Sequence, residues 1–302
     1  MELGPPARGE ARVRHTAVGV NFVDCYHRSG VYPVQLPSVL GAEAAAVVEA
    51  VGDGVDLAIG TRVAYADAWL GAYSDARNVP ADRLVTLTDD ISDATAAAVL
   101  LKGMTAEYLV RRTYEVRAGD SVLVLAAAGG VGSILGQWLK ALGARAIGVV
   151  GSEQKAVLAR QNGYADVIVG YGDIAAKVRE LTGGRGVPVV YDSVGRDTLE
   201  ASLDSLAVRG VLVSFGNASG KPNAVEPATL AQKGSVYLTR PRLADYIRTR
   251  EELTLSAESI FTLVRQGVVN VHVGQRFALA DAAQAHRTLE SRSTTGSSLL
   301  FP

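Results

Sequence analysis

The chain has one cysteine, Cys25, in 302 residues. A single thiol forms no intrachain disulfide and supplies no four-thiolate site, which excludes a disulfide-stapled fold and a cysteine-rich zinc lobe. Net charge is equally scarce: 30 Lys and Arg stand against 31 Asp and Glu, with no run of one sign. That balance offers no electrostatic footprint for nucleic acid or for an anionic membrane. No apolar run approaches the roughly 20 residues of a spanning helix. The opening MELGPPARGE lacks the apolar stretch of a secretory signal. Together these absences predict a soluble protein of a reducing compartment, the cytoplasm, with neither nucleic acid nor membrane as partner.

What remains is length and an apolar content of 48%, enough for one large core or two ordinary ones. Glycine, at 32 residues, exceeds its average share of roughly 7% and suits tight strand-to-helix turns. The first ninety residues hold short β-branched runs, AAAVVEAVG, TRVAYA and DRLVTL, separated by Gly, Pro and Asp. This pattern predicts a barrel-like, mainly antiparallel β region. From Ile91 the composition turns helical, with Ser92 as the expected N-cap.

From Ser121 strand and helix signals alternate: SVLVLA, VGSILGQWLKALG, ARAIGVV, QKAVLARQNG, DVIVG, AAKVRELTG, VPVVYDS, DTLEASLDSLA and GVLVSFG. Repeated βα units with unbroken apolar strands predict a doubly wound parallel sheet covered on both faces. A strand at SVYLT, a helical region from Leu243 to Gln266, a strand near VHVGQRFAL, the helix DAAQAHRTLESR and a last strand SSLLF complete the reading. The expected division is an α/β chain with a barrel-like domain at 1–100, a doubly wound, Rossmann-type domain at 101–240, and a C-terminal segment at 241–302 returning to the first domain.

The strand SVLVLA runs into AAAGGVG and then directly into a helix. Ala127, Gly129 and Gly132 fall at the three glycine positions of the dinucleotide fingerprint, with Ala at the first. Small residues are required there because main-chain N–H groups at a helix N-terminus must approach a pyrophosphate closely. By itself such a turn is also an ordinary βα connection; the βα units around it favour the nucleotide reading. At the end of the next strand stand Gly151, Ser152, Glu153, Gln154 and Lys155. Glu153 is an alternative ribose ligand, but Ser152 and Lys155 suit a 2′-phosphate. A lysine in a first helical turn is disfavoured by the dipole unless an anion accompanies it. The residues therefore favour NADPH.

The segments GVNFVDCYHRSGVYP, LPSVLGAEAAAVVEAVG, LKGMTAEYLV, AAAGGVG, GSEQK, VVYDSVG, VSFGNASG, SVYLTRP and ESRSTTGSSLLFP, in this order and spacing, resemble the zinc-free, zeta-crystallin-like quinone oxidoreductases of the medium-chain dehydrogenase/reductase superfamily. The resemblance covers nearly the whole chain and implies a GroES-like catalytic domain. Where zinc-dependent relatives place a Cys and a His as metal ligands, this chain has Asn21 and Ala42. Cys25 and His27 lack a third ligand, so no metal is expected. Members of the family usually carry an initial strand pair ahead of the segment resembling PARGEARVRHTAVGVN. A shortened start would predict an exposed sheet edge and lower solubility.

Carried over residue by residue, the resemblance implies that Asn21 contacts the nicotinamide side, that Thr105 lies near the nicotinamide ribose, and that Tyr26 and Tyr32 line the substrate pocket. Gly129, Gly130, Val131 and Gly132 would meet the pyrophosphate, Ser152 and Lys155 the 2′-phosphate, and Tyr171 the adenine. Ser193, Phe215, Gly216 and Asn217 would hold the nicotinamide half, with Arg292 reaching back from the C-terminal helix. Each has a plainer role open to it: Tyr171 as a loop aromatic, Phe215 as strand core, Arg292 as a helix C-terminal charge.

Without a metal, a ketone oxygen has no Lewis acid, whereas a quinone accepts electrons through its own conjugation. The expected reaction is thus zinc-independent, NADPH-dependent reduction of a small quinone, with Asn21 or Tyr26 orienting the oxygen and Tyr26 available as proton donor. Reduction of the activated double bond of an enal or enone needs the same cofactor and stays open at this point. So does a non-catalytic, crystallin-like or RNA-binding role, against which the charge balance speaks. The Ser235 to Thr239 strand resembles the one through which the family's nucleotide domains pair, and it predicts a homodimer.

Overall fold

The computed structural model describes residues 3–67, 69–291 and 293–302. Its strands, in chain order, are β1 (Glu10–Val20), β2 (Glu43–Val51), β3 (Arg62–Ala66), β4 (Ala76–Pro80), β5 (Val85–Thr86), β6 (Ser121–Leu125), β7 (Arg145–Val150), β8 (Asp166–Val169), β9 (Val187–Asp192), β10 (Leu206–Ser214), β11 (Tyr237–Thr239), β12 (Val273–Ala278) and β13 (Ser297–Phe301). The helices are α1 (Phe22–Arg28), α2 (Asp93–Tyr108), α3 (Gly130–Ala141), α4 (Glu153–Gln161), α5 (Ile174–Leu181), α6 (Leu199–Asp204), α7 (Pro227–Gln232), α8 (Leu243–Tyr246), α9 (Arg250–Arg265) and α10 (Ala282–Glu290). The chain divides into two compact units, one of Met1–Met104 with Tyr246–Pro302, the other of Thr105–Asp245.

The first unit is built on a seven-stranded sheet in the order β12-β13-β1-β2-β3-β5, with β4 also on β1. All pairs are antiparallel except β12 with β13. Strand β1 carries the design. Ala11, Val13, His15 and Ala17 alternate inward, so its period of two survives the interruptions by Arg12, Arg14 and Thr16. It pairs along its length with β2, through two register shifts that bend it. Elsewhere Glu10–Arg14 pair with β4 and Val18–Val20 with β13. The core joins Val13, Val18, Val48, Val63, Tyr65, Leu84 and Leu300. Burying each such side chain fully stabilises by about 1.5–3 kcal/mol.

The second unit holds a six-stranded sheet in the order β11-β10-β9-β6-β7-β8, with every pair parallel. Read from β8, this is the doubly wound order, whose direction of winding reverses between β6 and β9. Val122 to Leu125 are all buried, as the central strand of a sheet covered on both faces requires. Helix α3 presents Ile134, Leu135, Trp138 and Leu139 to the interior.

Three elements differ from the sequence reading. The region from Leu243 to Gln266 is two helices, because Thr249 and Glu252 form a capping box that starts α9 afresh. The Ser235 to Thr239 strand is shorter, Tyr237–Thr239, since Ser235 takes a left-handed φ of 55° and Val236 turns into the core. Helix α2, whose Ser92 Oγ accepts the Thr95 N–H at 3.1 Å, passes into a π-helical turn over Leu109–Thr113. No helix among the described residues is long and apolar enough to cross a membrane.

Candidate functional site

In the second unit, parallel strands direct their C-terminal ends, and the turns that follow, to one edge of the sheet. After β6, Ala126 adopts a left-handed φ of 56°, and its carbonyl accepts the Gly129 N–H at 2.9 Å. Gly129 is the N-cap of α3, so Gly130, Val131 and Gly132 present N–H groups that no intrahelical carbonyl reaches. A Cβ at Gly132 would lie 2.3 Å from the Ala126 carbonyl oxygen and 2.8 Å from that of Ala127. The helix therefore approaches the strand end as closely as glycine permits. Tyr164, buried, donates its hydroxyl to the Gly132 carbonyl at 2.7 Å and fixes the turn from below.

At the end of β7, Ser152 caps α4 by accepting the Lys155 N–H at 3.4 Å. The cap uses an oxygen lone pair and leaves the serine O–H free to donate. Tyr171, in the loop after β8, packs its ring 3.7 Å from where a Gly151 side chain would begin. Ser152, Lys155 and Tyr171 are thus brought to one corner, and Tyr171 is half-buried against the core.

The turns after β9 and β10 interlock. A Cβ at Gly216 would meet the Ser193 carbonyl oxygen at 2.4 Å, and Phe215 N–H donates to the Asp192 carbonyl at 2.8 Å. Asn217 closes the same turn, its carbonyl accepting the Gly220 N–H at 2.9 Å. Two residues to which the sequence gives no site role organise this corner. Buried Asp192 accepts the N–H groups of Val194 and Gly195 at 2.8 and 3.1 Å and the hydroxyls of Thr198 and Ser202 at 2.8 and 2.7 Å. Arg240, just past β11, donates to the carbonyls of Ser214 and Gly216 at 2.9 and 3.0 Å. The Asp in VVYDS and the Arg in LTRP were visible, but nothing local tells a turn-organising residue from a surface charge. Thr105 lies on α2, buried at 7% exposure. Arg292 falls outside the described residues.

The first unit gathers side chains. Asn21, buried, precedes α1 and directs its amide nitrogen to Glu43 Oε2 at 2.9 Å. The same oxygen accepts Lys102 Nζ at 3.2 Å, while Glu43 Oε1 accepts the Leu101 N–H at 2.6 Å. One turn along α1, Asp24 Oδ2 accepts the Asn21 N–H at 2.8 Å and the Tyr73 hydroxyl at 3.2 Å. Complete burial pushes the Asp24 carboxyl up to about 7, with Glu43 adding to the rise. Tyr73 in turn faces His286 Nε2 at 2.9 Å. Because the tyrosine proton points to Asp24, His286 must carry its proton on Nε2. Its Nδ1 then accepts from Arg28 at 3.0 Å, with Cys25 Sγ 3.6 Å away. Burial and the adjacent Arg28 charge hold His286 below its ordinary value, consistent with that neutral form. Tyr26 and Tyr32 meet edge to face with centroids 5.2 Å apart, on the same helix and the loop after it. Glu43, Lys102, Asp24, Tyr73 and His286 are all missing from the sequence reading. Only their convergence marks them, and they come from five separate segments.

Comparison with known proteins adds to this geometry. Residues 7–118 match the family model described as alcohol dehydrogenase GroES-like domain, and residues 130–253 that described as zinc-binding dehydrogenase. The chain is 52% identical to a quinone oxidoreductase of Pseudomonas aeruginosa over 98% of its own length and 92% of that protein. It is 44% identical to a 2-haloacrylate reductase of a Burkholderia species, over 100% of this chain and 93% of that one. Among solved structures, the Escherichia coli quinone oxidoreductase complexed with NADPH superposes with a TM-score of 0.98 at 51% identity, covering 100% of this chain and 94% of the other.

Proposed function

This chain belongs to the quinone oxidoreductase family of the medium-chain dehydrogenases, and from that premise we propose that it reduces small quinones with NADPH. The observation that carries the cofactor is the pair of turns after β6 and β7: a glycine-closed helix start for a pyrophosphate, then a capping serine and a lysine for a 2′-phosphate. When bound, NADPH would supply a hydride, and the quinone needs that hydride plus one further proton. Gly129 to Gly132 hold the pyrophosphate, Ser152 and Lys155 the 2′-phosphate, and Tyr171 flanks the adenine. Thr105, Ser193, Phe215, Gly216 and Asn217 hold the nicotinamide half, the part for which Arg292 also stands as a candidate. In the first unit Asn21, Tyr26 and Tyr32 orient the substrate.

Zinc does not fit. Among the described residues no three His, Cys, Asp or Glu side chains stand where they could hold one ion, and Cys25 lies against His286, not paired with His27. No step is therefore assigned to a metal.

Two enzymes of this reading act as a homodimer through β11, an edge strand with Tyr237 and Leu238 at 61% and 37% exposure. Light scattering giving a monomer mass would remove that part. A second reading, reduction of an activated double bond, is favoured by the likeness to a 2-haloacrylate reductase. Oxidation of NADPH and NADH, followed at the nicotinamide absorbance with 1,4-benzoquinone, 9,10-phenanthrenequinone and an enone, separates the two. Quinone turnover with NADPH preferred is expected; turnover of the enone alone would replace the first reading by the second.

A further inference from the structure

The ion pair of Lys102 and Glu43 is a costly thing to keep in the interior. Burying two charges gains little over an apolar pair of the same volume, so stability alone does not account for it. The two partners are also unequally served. Glu43, with no exposed surface, has both oxygens filled by Leu101, Asn21 and Lys102. Lys102, at 6% exposure, has an ammonium with three N–H donors and, among the described residues, one hydrogen-bond acceptor, Glu43. A buried ammonium with donors to spare asks for a second acceptor.

Where that acceptor would sit follows from Asn21. A carboxylate only accepts hydrogen bonds, so the Asn21 amide must turn its nitrogen to Glu43, where Lys102 shares the same oxygen. The ammonium and the amide are held side by side around one atom. Asn21 is the residue given to the substrate under the proposed function, and the inference rests on that reading.

We propose that Lys102 is a catalytic residue of quinone reduction: its ammonium, held beside Asn21 by Glu43, donates a hydrogen bond to the substrate carbonyl oxygen and stabilises the negative charge that develops there. The quinone gains the hydride and its electron pair from the cofactor and becomes a hydroquinone monoanion. That anion takes its proton from water on release, so one NADPH and one proton are consumed per quinone. Lys102 keeps its three protons throughout. It acts as a preorganised donor in a water-poor site, and Glu43 is its positioning residue.

The test uses Lys102→Met, which keeps the length of the side chain, and Lys102→Met with Glu43→Gln, which leaves no unpaired charge. Thermal melting checks folding, and nucleotide fluorescence should give NADPH affinity within about twofold of the parent. With 1,4-benzoquinone, kcat/KM should fall by about a hundredfold, the usual cost of losing one such donor. A second readout needs no turnover: 4-nitrophenol bound to the NADP⁺ complex should ionise at lower pH than it does in water, by its absorbance. Both variants should lose that shift, and Lys102→Arg should restore part of it. A folded variant with kcat/KM within about threefold of the parent, or an unchanged shift, overturns the proposal; so does failure of both variants to fold, which would make the pair structural. If the parent itself reduces no quinone, the functional reading fails separately, and the nitrophenol titration still decides the role of Lys102.

Discussion

In the second unit, the groups readied at the strand ends are main-chain N–H and carbonyl groups, placed by Gly129, Gly132 and Gly216 and braced by Asp192, Tyr164 and Arg240. In the first unit they are side chains from positions 21, 24, 43, 73, 102 and 286, carrying two carboxyls, an ammonium and an imidazole. A main-chain site depends on how closely backbones approach; it fails when a methyl group is added. A side-chain site depends on charge and proton placement; it fails when one partner is neutralised. The two kinds of perturbation should therefore separate cleanly between the units.

The largest effect is expected at Gly132→Val. Its Cβ would press on two backbone carbonyls that have nowhere to move, and overpacking of this kind costs about 1–3 kcal/mol. Calorimetric NADPH affinity should fall by at least about tenfold, while the first unit's pH behaviour is untouched. Retained affinity would mean that the turn does not hold the pyrophosphate. Of comparable size is Lys155→Ala, which removes a charge-assisted hydrogen bond worth about 1.5–3 kcal/mol. NADPH binding should weaken by roughly ten- to a hundredfold with NADH unchanged; an equal loss for both nucleotides would dissociate Lys155 from the 2′-phosphate.

Asp24→Asn sharpens the comparison from the other side. The native carboxyl titrates near 7 against an ordinary value of 3.8. Between those limits the unfolded chain gives up a proton that the native chain keeps, so this group's contribution to stability falls as pH rises from about 4 to about 7 and is level above. The variant lacks that slope. Its melting temperature relative to the parent should rise by a few degrees between about pH 4 and about pH 8. His15, which burial lowers to about 4, works oppositely, losing stability as pH falls from 6.5, and cancels in the difference. A flat difference curve would show that Asp24 is ionised throughout. The smallest effect belongs to Tyr164→Phe, which loses one hydrogen bond of about 1 kcal/mol. NADPH affinity should change only a few-fold, with no change in quinone preference.

The same contrast explains what was legible beforehand. The parallel sheet and the turn at Gly129 to Gly132 follow from local pattern, because an apolar strand, a glycine turn and a helix are contiguous in the sequence. Strand β1, the longest, is not legible as a strand from local pattern: Arg12, Arg14 and Thr16 break the apolar run, and a histidine fills an inward position, where it bonds to Ser74 and Tyr65. Asn21 was reachable through resemblance, but Glu43 and Lys102 lie 22 and 59 to 81 positions from their partners. No spacing rule joins them. The fold does, by setting β2 and α2 against the entry to α1.

The pairing of β1 with β13 has a consequence for synthesis. Residues 105–245, the whole of the second unit, leave the ribosome before Ser297–Phe301 exist. Val18 to Val20, which lead directly into Asn21, wait with one edge uncovered until those last residues arrive. Domains fold as units, N-terminal ones first where they are able to; here the order is inverted, and the later-born unit has the first opportunity to close. The nascent first unit thus keeps this part of its central strand half-paired until the whole of the second unit has been made.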